Sequence, residues 1–360
     1  MIGQKLGEKF TILYLNMKYQ PRLDTLRFFS VLLVIISHWL PNSEIVMGIP
    51  FLGDIGVSFF FVISGYLITS ILIRLKEKKL SKGLGIFYWN RSLRIFPIYY
   101  LLLIALFFMN LEFWENNALY LFTYLTNFRI FVLDNWIGAF SHLWSLAVEE
   151  QFYLIWPLVI FMVRRDKIVL SVCVTFIISY ILKILVYFSL KSNYIEILPF
   201  SQFDLFMFGA LLSLKTERVD HVIKSFTKTQ VLLTFFSLSL LVYITGPVYL
   251  LKNLALGLTS VFLILFMNLN YSIHKFFDFK PFIFLGKISY GLYLYHNFIP
   301  LIERNLVGIE SKSKFIPALI PNISSPIYHL VVQTCLLLSV SIISWYLIEK
   351  PLLKLKKTNY

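Results

Sequence analysis

The sequence predicts an all-α, polytopic membrane protein with about ten transmembrane helices and both termini in the cytoplasm. Three observations lead there. Of its 360 residues 58% are hydrophobic and only 14% charged, with a mean hydropathy of +0.75, whereas a soluble domain carries about 25% charged residues. Apolar runs recur from Phe28 to Leu347 with no long polar stretch between them, so one integral membrane domain is expected. Basic residues crowd alternate loops: Lys5, Lys9, Lys18, Arg22 and Arg27 at the N-terminus, then Arg74, Lys76, Lys78, Lys79, Lys82, Arg91 and Arg94 around the third run. The same holds after the fourth (Arg164, Arg165, Lys167), sixth (Lys215, Arg218, Lys224, Lys228) and eighth runs (Lys275, Lys280), and in the tail (Lys350, Lys354, Lys356, Lys357). The intervening loops hold only Arg129, Lys191, Lys252, Arg304, Lys312 and Lys314. A positive-inside bias of this kind sets orientation. It accounts for the formal charge of +14 without a nucleic-acid partner.

The organisation follows as a cytoplasmic segment 1–23, a transmembrane domain 24–349 and a short basic tail 350–360. Spans are expected at roughly 24–41, 51–73, 92–112, 143–163, 168–189, 198–214, 230–249, 252–270, 283–302 and 328–348, each near the length of about 20 residues a crossing helix needs. The first apolar run lacks a small-residue cleavage pattern and reads as an uncleaved span. The second mixes Gly53, Gly56, Ser58, Ser64 and Gly65 among bulky residues, which allows close helix contact. The first and sixth are short, so tilt or local thinning is implied. The stretch Leu119–Phe131, with Asn127 and Arg129, is an eleventh candidate that reads as interfacial or re-entrant, because a full crossing would invert every later loop.

Ionisable groups within apolar runs are site hypotheses. His38 ends the first run, eleven residues after Arg27, or about 16 Å along a helix. It is either an interfacial histidine bonded to a neighbour or a group that takes a proton or an acyl substituent near neutral pH. His142 precedes Glu149 and Glu150 in the densest polar patch of any span. Those carboxylates either tie helices together, pair with Arg91 or Arg94, or orient a histidine as the third group of a triad does. Arg91 and Arg94 lie one helical turn apart, and guanidinium forks suit phosphate; plain snorkelling is the alternative. Asp204 sits inside an apolar segment, with Lys183 as a partner or a snorkelling side chain. His296, among Tyr290, Tyr293 and Tyr295, either lines a cavity or is a bonded core residue, and Glu349 reads as a helix-end anchor. His221, His274 and His329 read as loop or interfacial residues. Cys173 and Cys335 have neither metal-ligand spacing nor a disulfide role, and no metal site is expected. No Walker loop, dinucleotide fingerprint, HExxH or GxSxG pattern occurs.

These blocks together resemble the acyltransferase 3 family of bacterial membrane O-acyltransferases that modify surface polysaccharides. Arg27 and His38 match its Arg-x10-His signature, GDIGVSFFFVISGYLIT its second block, and Arg91 with Arg94 its Arg-x-x-Arg pattern. HLWSLAVEEQFYLIWP, FDLFMFGALLS, SYGLYLYH and IEKPL follow in order, over about residues 20–355. The resemblance implies a membrane-bound acyltransferase of the bacterial cytoplasmic membrane, using acetyl-CoA or another acyl-CoA as donor substrate and no tightly bound cofactor. The acceptor would be a hydroxyl of a surface or lipid-linked glycan. It implies catalytic roles for His38, Glu149 and Glu150, with His38 as general base or transient acyl carrier. Arg27, Arg91, Arg94, His142, Tyr153, Asp204 and His296 would bind substrates. Ser58 stands where members often carry an acidic residue, and the basic residue often found just before Asp204 is missing. Some members add a C-terminal extracytoplasmic hydrolase-like domain; the form without it is expected here, with membrane lipids, a separate extracytoplasmic protein and a second copy of the chain as candidate partners. A transporter or flippase of lipid-linked glycans is the competing expectation.

Overall fold

A computed structural model of the chain describes residues 19–40, 51–108, 114–190, 192–214, 225, 227–245, 249–267, 274–307 and 326–357. Residues 1–18 of the expected N-terminal segment, residues 358–360 of the tail, His221 and several of the loop lysines lie outside these. Among the described residues the fold is all α. Its elements are α1 (Pro21–Trp39), α2 (Leu52–Leu75), α3 (Leu80–Phe108), α4 (Trp114–Phe122), α5 (Thr126–Leu133), α6 (Leu143–Met162), α7 (Ile168–Ser189), α8 (Pro199–Ser213), α9 (Lys228–Thr245), α10 (Tyr249–Phe266), α11 (His274–Phe277), α12 (Lys280–Lys287), α13 (Ser289–Tyr295), α14 (Ile299–Val307), α15 (Pro326–Ser344) and α16 (Lys350–Leu353).

The expected count of about ten transmembrane helices, and the topology built on it, is overturned. Among the described residues five helices are long and apolar enough to cross a membrane: Leu52–Leu75, Leu80–Phe108, Gly138–Met162, Arg165–Ser189 and Ile327–Leu353. The other apolar runs fall short for separate reasons. Helix α1 has 19 residues, but Arg22, Asp24 and Arg27 occupy its first two turns. Helix α8 has 15 residues, about 22 Å of rise against a hydrocarbon core of about 30 Å. The expected ninth span is three short helices, interrupted at Ile288 and again at 296–298. Helices α9 and α10 have 18 residues each, about 27 Å of rise against that same core of about 30 Å. Hydropathy registers apolar runs; it does not register where the helical ladder stops.

Helix α2 is the centre of the bundle, packed against α1, α6, α8 and α10. Its crossing with α8 is set by two glycines facing each other. A methyl group on Gly65 would strike the Phe206 backbone, and one on Gly209 would strike Val62 and Tyr66. Backbone therefore meets backbone, the geometry that small residues permit in lipid. Beside it Phe206 stacks on Phe61 (4.6 Å between centroids) and on Phe152 (4.1 Å), which joins α2, α6 and α8 into one core.

Two buried polar junctions hold further helices. Lys183 of α7 and Asp204 of α8, 1% and 0% exposed, form an ion pair. Asn253 of α10 (3.1 Å) and the Leu205 amide (2.9 Å) bond the other carboxylate oxygen. Helices α4 and α5 meet at a sharp turn at Tyr124 (φ 54°) and dock on α6 through a reciprocal amide pair, Asn127 with Gln151, at 3.0 Å both ways. A five-residue π-turn, Trp345–Glu349, joins α15 to α16 and turns Glu349 inward.

Candidate active site

The site is built on helical spacing. On α6, residues four apart fall on one face, and Ser145, Glu149 and Tyr153 make such a stripe. All three line a cavity of about 60 Å³ between α1, α2, α3, α6 and α13. Arg27, Arg91 and Arg94 line it as well, together with Ser64, Phe60, Phe61, Tyr290 and Tyr293. Helices α1 and α6 run in opposite directions along it with matching spacings. Arg27 and Tyr153 lie at one end, His38 and His142 at the other, eleven residues apart on each helix, about 16 Å.

The arginine end is rich in uncompensated charge. Arg27 pairs with Asp24 at 3.3 Å. Arg91 lies over the rings of Tyr153 (5.0 Å) and Phe87 (5.9 Å). Among the described residues neither Arg91 nor Arg94 makes a hydrogen bond or salt bridge. Glu349, brought inward by the π-turn, acts electrostatically on Arg94, and Glu150 on Arg91, both without direct contact. Three guanidiniums converging with one bonded carboxylate make an anion site by charge and by geometry.

In the middle, Glu149 receives hydrogen bonds from Ser64 and Tyr153. It faces the cavity and reaches no histidine. Glu150 does not line the cavity. One of its oxygens is buried with no hydrogen-bond partner, and its neighbours include Tyr99, Tyr124 and Tyr290. Tyr293 closes the far end. Its hydroxyl donates to the His142 carbonyl (2.9 Å) and shares a hydrogen bond with Ser145. Its ring lies between Phe60 (5.9 Å) and His296 (5.5 Å).

Beyond Tyr293 three imidazoles cluster, and the bonds of His38 and His296 fix their protons. His296 Nδ1 lies 2.6 Å from the Tyr293 carbonyl, which can only accept, so Nδ1 carries the hydrogen and Nε2 the lone pair. His38 Nδ1, 2.8 Å from that Nε2, must then donate. This leaves the lone pair of His38 on Nε2, outside the pair. The two rings meet edge to edge and nearly coplanar, 5.1 Å between centroids and 8° between planes, and Trp39 Nε1 donates to the His296 carbonyl at 3.1 Å. A histidine thus accepts from His38 Nδ1 at the place where a triad has a carboxylate. His142 faces carbonyls with both nitrogens, Ala139 at 2.9 Å and Leu294 at 3.2 Å, and turns neither toward the cavity.

Of the residues singled out from sequence, Arg27, Arg91, Arg94, Glu149 and Tyr153 meet in the cavity, and His38, His142 and His296 meet at its end. Glu150 stands behind the cavity wall, and Asp204 is engaged by Lys183 and Asn253. Sequence reasoning passed over Ser145; it named Ser64 only for close helix contact and Tyr293 only beside His296. The i, i+4 stripe through Glu149 contained the signal for Ser145.

A family model described as an acyltransferase domain matches residues 20–349. The chain belongs to the acyltransferase 3 family. With five long apolar helices among the described residues, this membership makes it a multi-pass protein of the bacterial cytoplasmic membrane. It is similar to the peptidoglycan O-acetyltransferase OatA of Listeria monocytogenes, 29% identical over 375 residues, covering 95% of this chain and 57% of that one. It is likewise similar to the O-acetyltransferase OatA of Staphylococcus aureus, 29% identical over 376 residues, covering 94% and 58%. This acyltransferase 3 chain therefore spans somewhat more than half the length of the curated relatives it matches. No solved structure matches it.

Proposed function

We propose that the chain transfers an acetyl group from acetyl-CoA to a hydroxyl of a cell-envelope polysaccharide or its lipid-linked precursor. The observation that carries this reading is a single polar stripe with unbonded guanidiniums at one end and a free imidazole lone pair at the other. The arginine mouth would then face the cytoplasm, where acyl-CoA is found, with Arg27, Arg91 and Arg94 on its phosphates. A cavity of about 60 Å³ is too narrow for a nucleotide but lies along the path a slender pantetheine arm would take, past Glu149 toward Tyr293.

At the far end the acceptor hydroxyl would sit against His38. Its proton passes to Nε2 as the oxygen attacks the thioester carbonyl. The C–S bond breaks, an O-acyl bond forms, and the CoA sulfur leaves as a thiolate that recovers the proton from the imidazolium. The His296 bond at Nδ1 keeps Nε2 in its basic form and directs it. Glu149 acts as a positioning residue: it holds Tyr153, and Tyr153 supports Arg91. The acetyl unit must pass Tyr293, so displacement of that ring is part of the cycle.

The test is acetyl transfer from labelled acetyl-CoA by membranes containing the full chain, with envelope glycans analysed by mass spectrometry. Peptidoglycan, the acceptor in the name of the Listeria relative, is the first to try. Donor-dependent acetylation of a glycan is expected; transport of a glycan without it would refute the reading. Arg91→Met and Arg94→Met should each raise KM for acetyl-CoA about 10- to 100-fold, the loss of one or two charge-assisted bonds, with a smaller change in kcat.

A further inference from the structure

We propose that Lys356 is a fourth cation of the donor site, carried over the arginine mouth by a C-terminal segment clamped to α3. The inference rests on the acyl-CoA reading above and extends it to a segment that reads in sequence as a plain basic tail.

The clamp is specific. After α16 the chain turns back, with Leu355 N–H bonding the Leu352 carbonyl at 3.0 Å. Trp89 Nε1 of α3 donates to the Leu355 carbonyl at 3.1 Å. The side chain of Asn90, only 5% exposed, takes both backbone groups of Lys357: its Nδ2 donates to the carbonyl (3.2 Å) and its Oδ1 accepts from the amide (2.9 Å). The Lys357 ammonium lies over the Trp89 ring at 5.4 Å. Both neighbours of Lys356 are thus fixed, and its side chain has no hydrogen-bond or ion-pair partner among the described residues. Arg91 and Arg94 follow Asn90 on the same helix, so the clamp holds the Lys356 backbone beside the helix that carries them.

A lone lysine on a solvated face needs no such arrangement. Here the ammonium is held where the charged groups acting on it are Arg27 of α1 and Arg91 and Arg94 of α3, all of like sign. Burial and these guanidiniums push it down to about 7. A fold that brings four cations together with one bonded carboxylate among the described residues, Asp24 on Arg27, is complete only with a polyanion present. The CoA moiety is one, with a diphosphate and a 3′-phosphate on its nucleotide end. The cavity is too narrow for that end, which must stay at the mouth, beside Lys356.

The experiment measures acetyl transfer by the full chain in membranes with two donors, acetyl-CoA and S-acetyl-pantetheine, which lacks every phosphate. Lys356→Met should raise KM for acetyl-CoA about tenfold, the worth of one charge-assisted bond, with kcat within about twofold and no change for S-acetyl-pantetheine. Lys356→Arg should restore KM. Asn90→Ala, which leaves Lys356 intact but frees the segment, should shift KM in the same direction by less. The wild-type KM for acetyl-CoA should rise as pH increases through about 7, because the empty site loses the proton that phosphate needs. Lys356→Arg should remove that rise, the titration of the 3′-phosphate being common to both. An unchanged KM in Lys356→Met, or an equal change with both donors, overturns the role of Lys356 and leaves the acyltransferase reading standing. A wild-type chain that neither turns over nor binds acetyl-CoA overturns both.

Discussion

Replacing His38 with alanine is expected to lower acetyl transfer by about 10³-fold, within the range general-base removal costs, with the folded yield unchanged. The side chain lies at the end of α1 and is exposed, so its loss opens no core cavity. What is lost is the one imidazole of the three with a nitrogen that has no partner among the described residues. His296→Phe separates the orienting role from the basic one. It keeps a ring at that position but removes the acceptor at Nε2, so the His38 tautomer and direction are no longer fixed. About a 10- to 100-fold loss in kcat, with a shifted pH profile and unchanged KM for acetyl-CoA, is expected. If His38→Ala retained more than a tenth of the activity, the proposed base would be wrong. If His296→Phe moved only stability and left the pH profile in place, its orienting role would fail.

The largest effect on stability is expected at Lys183 and Asp204. Lys183→Met leaves a carboxylate fully buried beside Asn253, and Asp204→Leu leaves an ammonium fully buried on α7. Removing one member of such a pair costs about 3–5 kcal/mol because the survivor is uncompensated. The double replacement Lys183→Met with Asp204→Leu removes both charges and should recover most of that loss, since an apolar pair of similar volume often serves as well as a buried ion pair. Thermal unfolding of the detergent-solubilised protein, followed for all four forms, reads this as a coupling. Additive losses would show that the two groups do not depend on each other.

How much of this was legible in the sequence depends on distance along the chain. The stripe on α6 could be read from Glu149 outward, because helical spacing is local. Arg91 and Arg94, one turn apart, were equally plain. The His38–His296 bond joins residues 258 positions apart, and nothing in either segment names the other. Lys183 and Asp204 were conspicuous as charges in apolar runs, but only packing makes them partners. Glu349 looked like a helix-end anchor because a π-turn, which shifts the inward face by one residue, leaves no mark in a hydropathy pattern. The overcount of spans has the same root: breaks at Ile288 and at 296–298 interrupt a helix inside an apolar run.

The glycine crossing of α2 and α8 has a mechanical consequence. Two helices in backbone contact at Gly65 and Gly209 cannot slide past each other, but they can rock about that point. Ser64, which bonds Glu149, is next to Gly65 and therefore sits almost on the fulcrum. Rocking would carry the two ends of α2 through large arcs while moving Ser64 hardly at all. The middle of the proposed transfer path would then stay still while its two ends move.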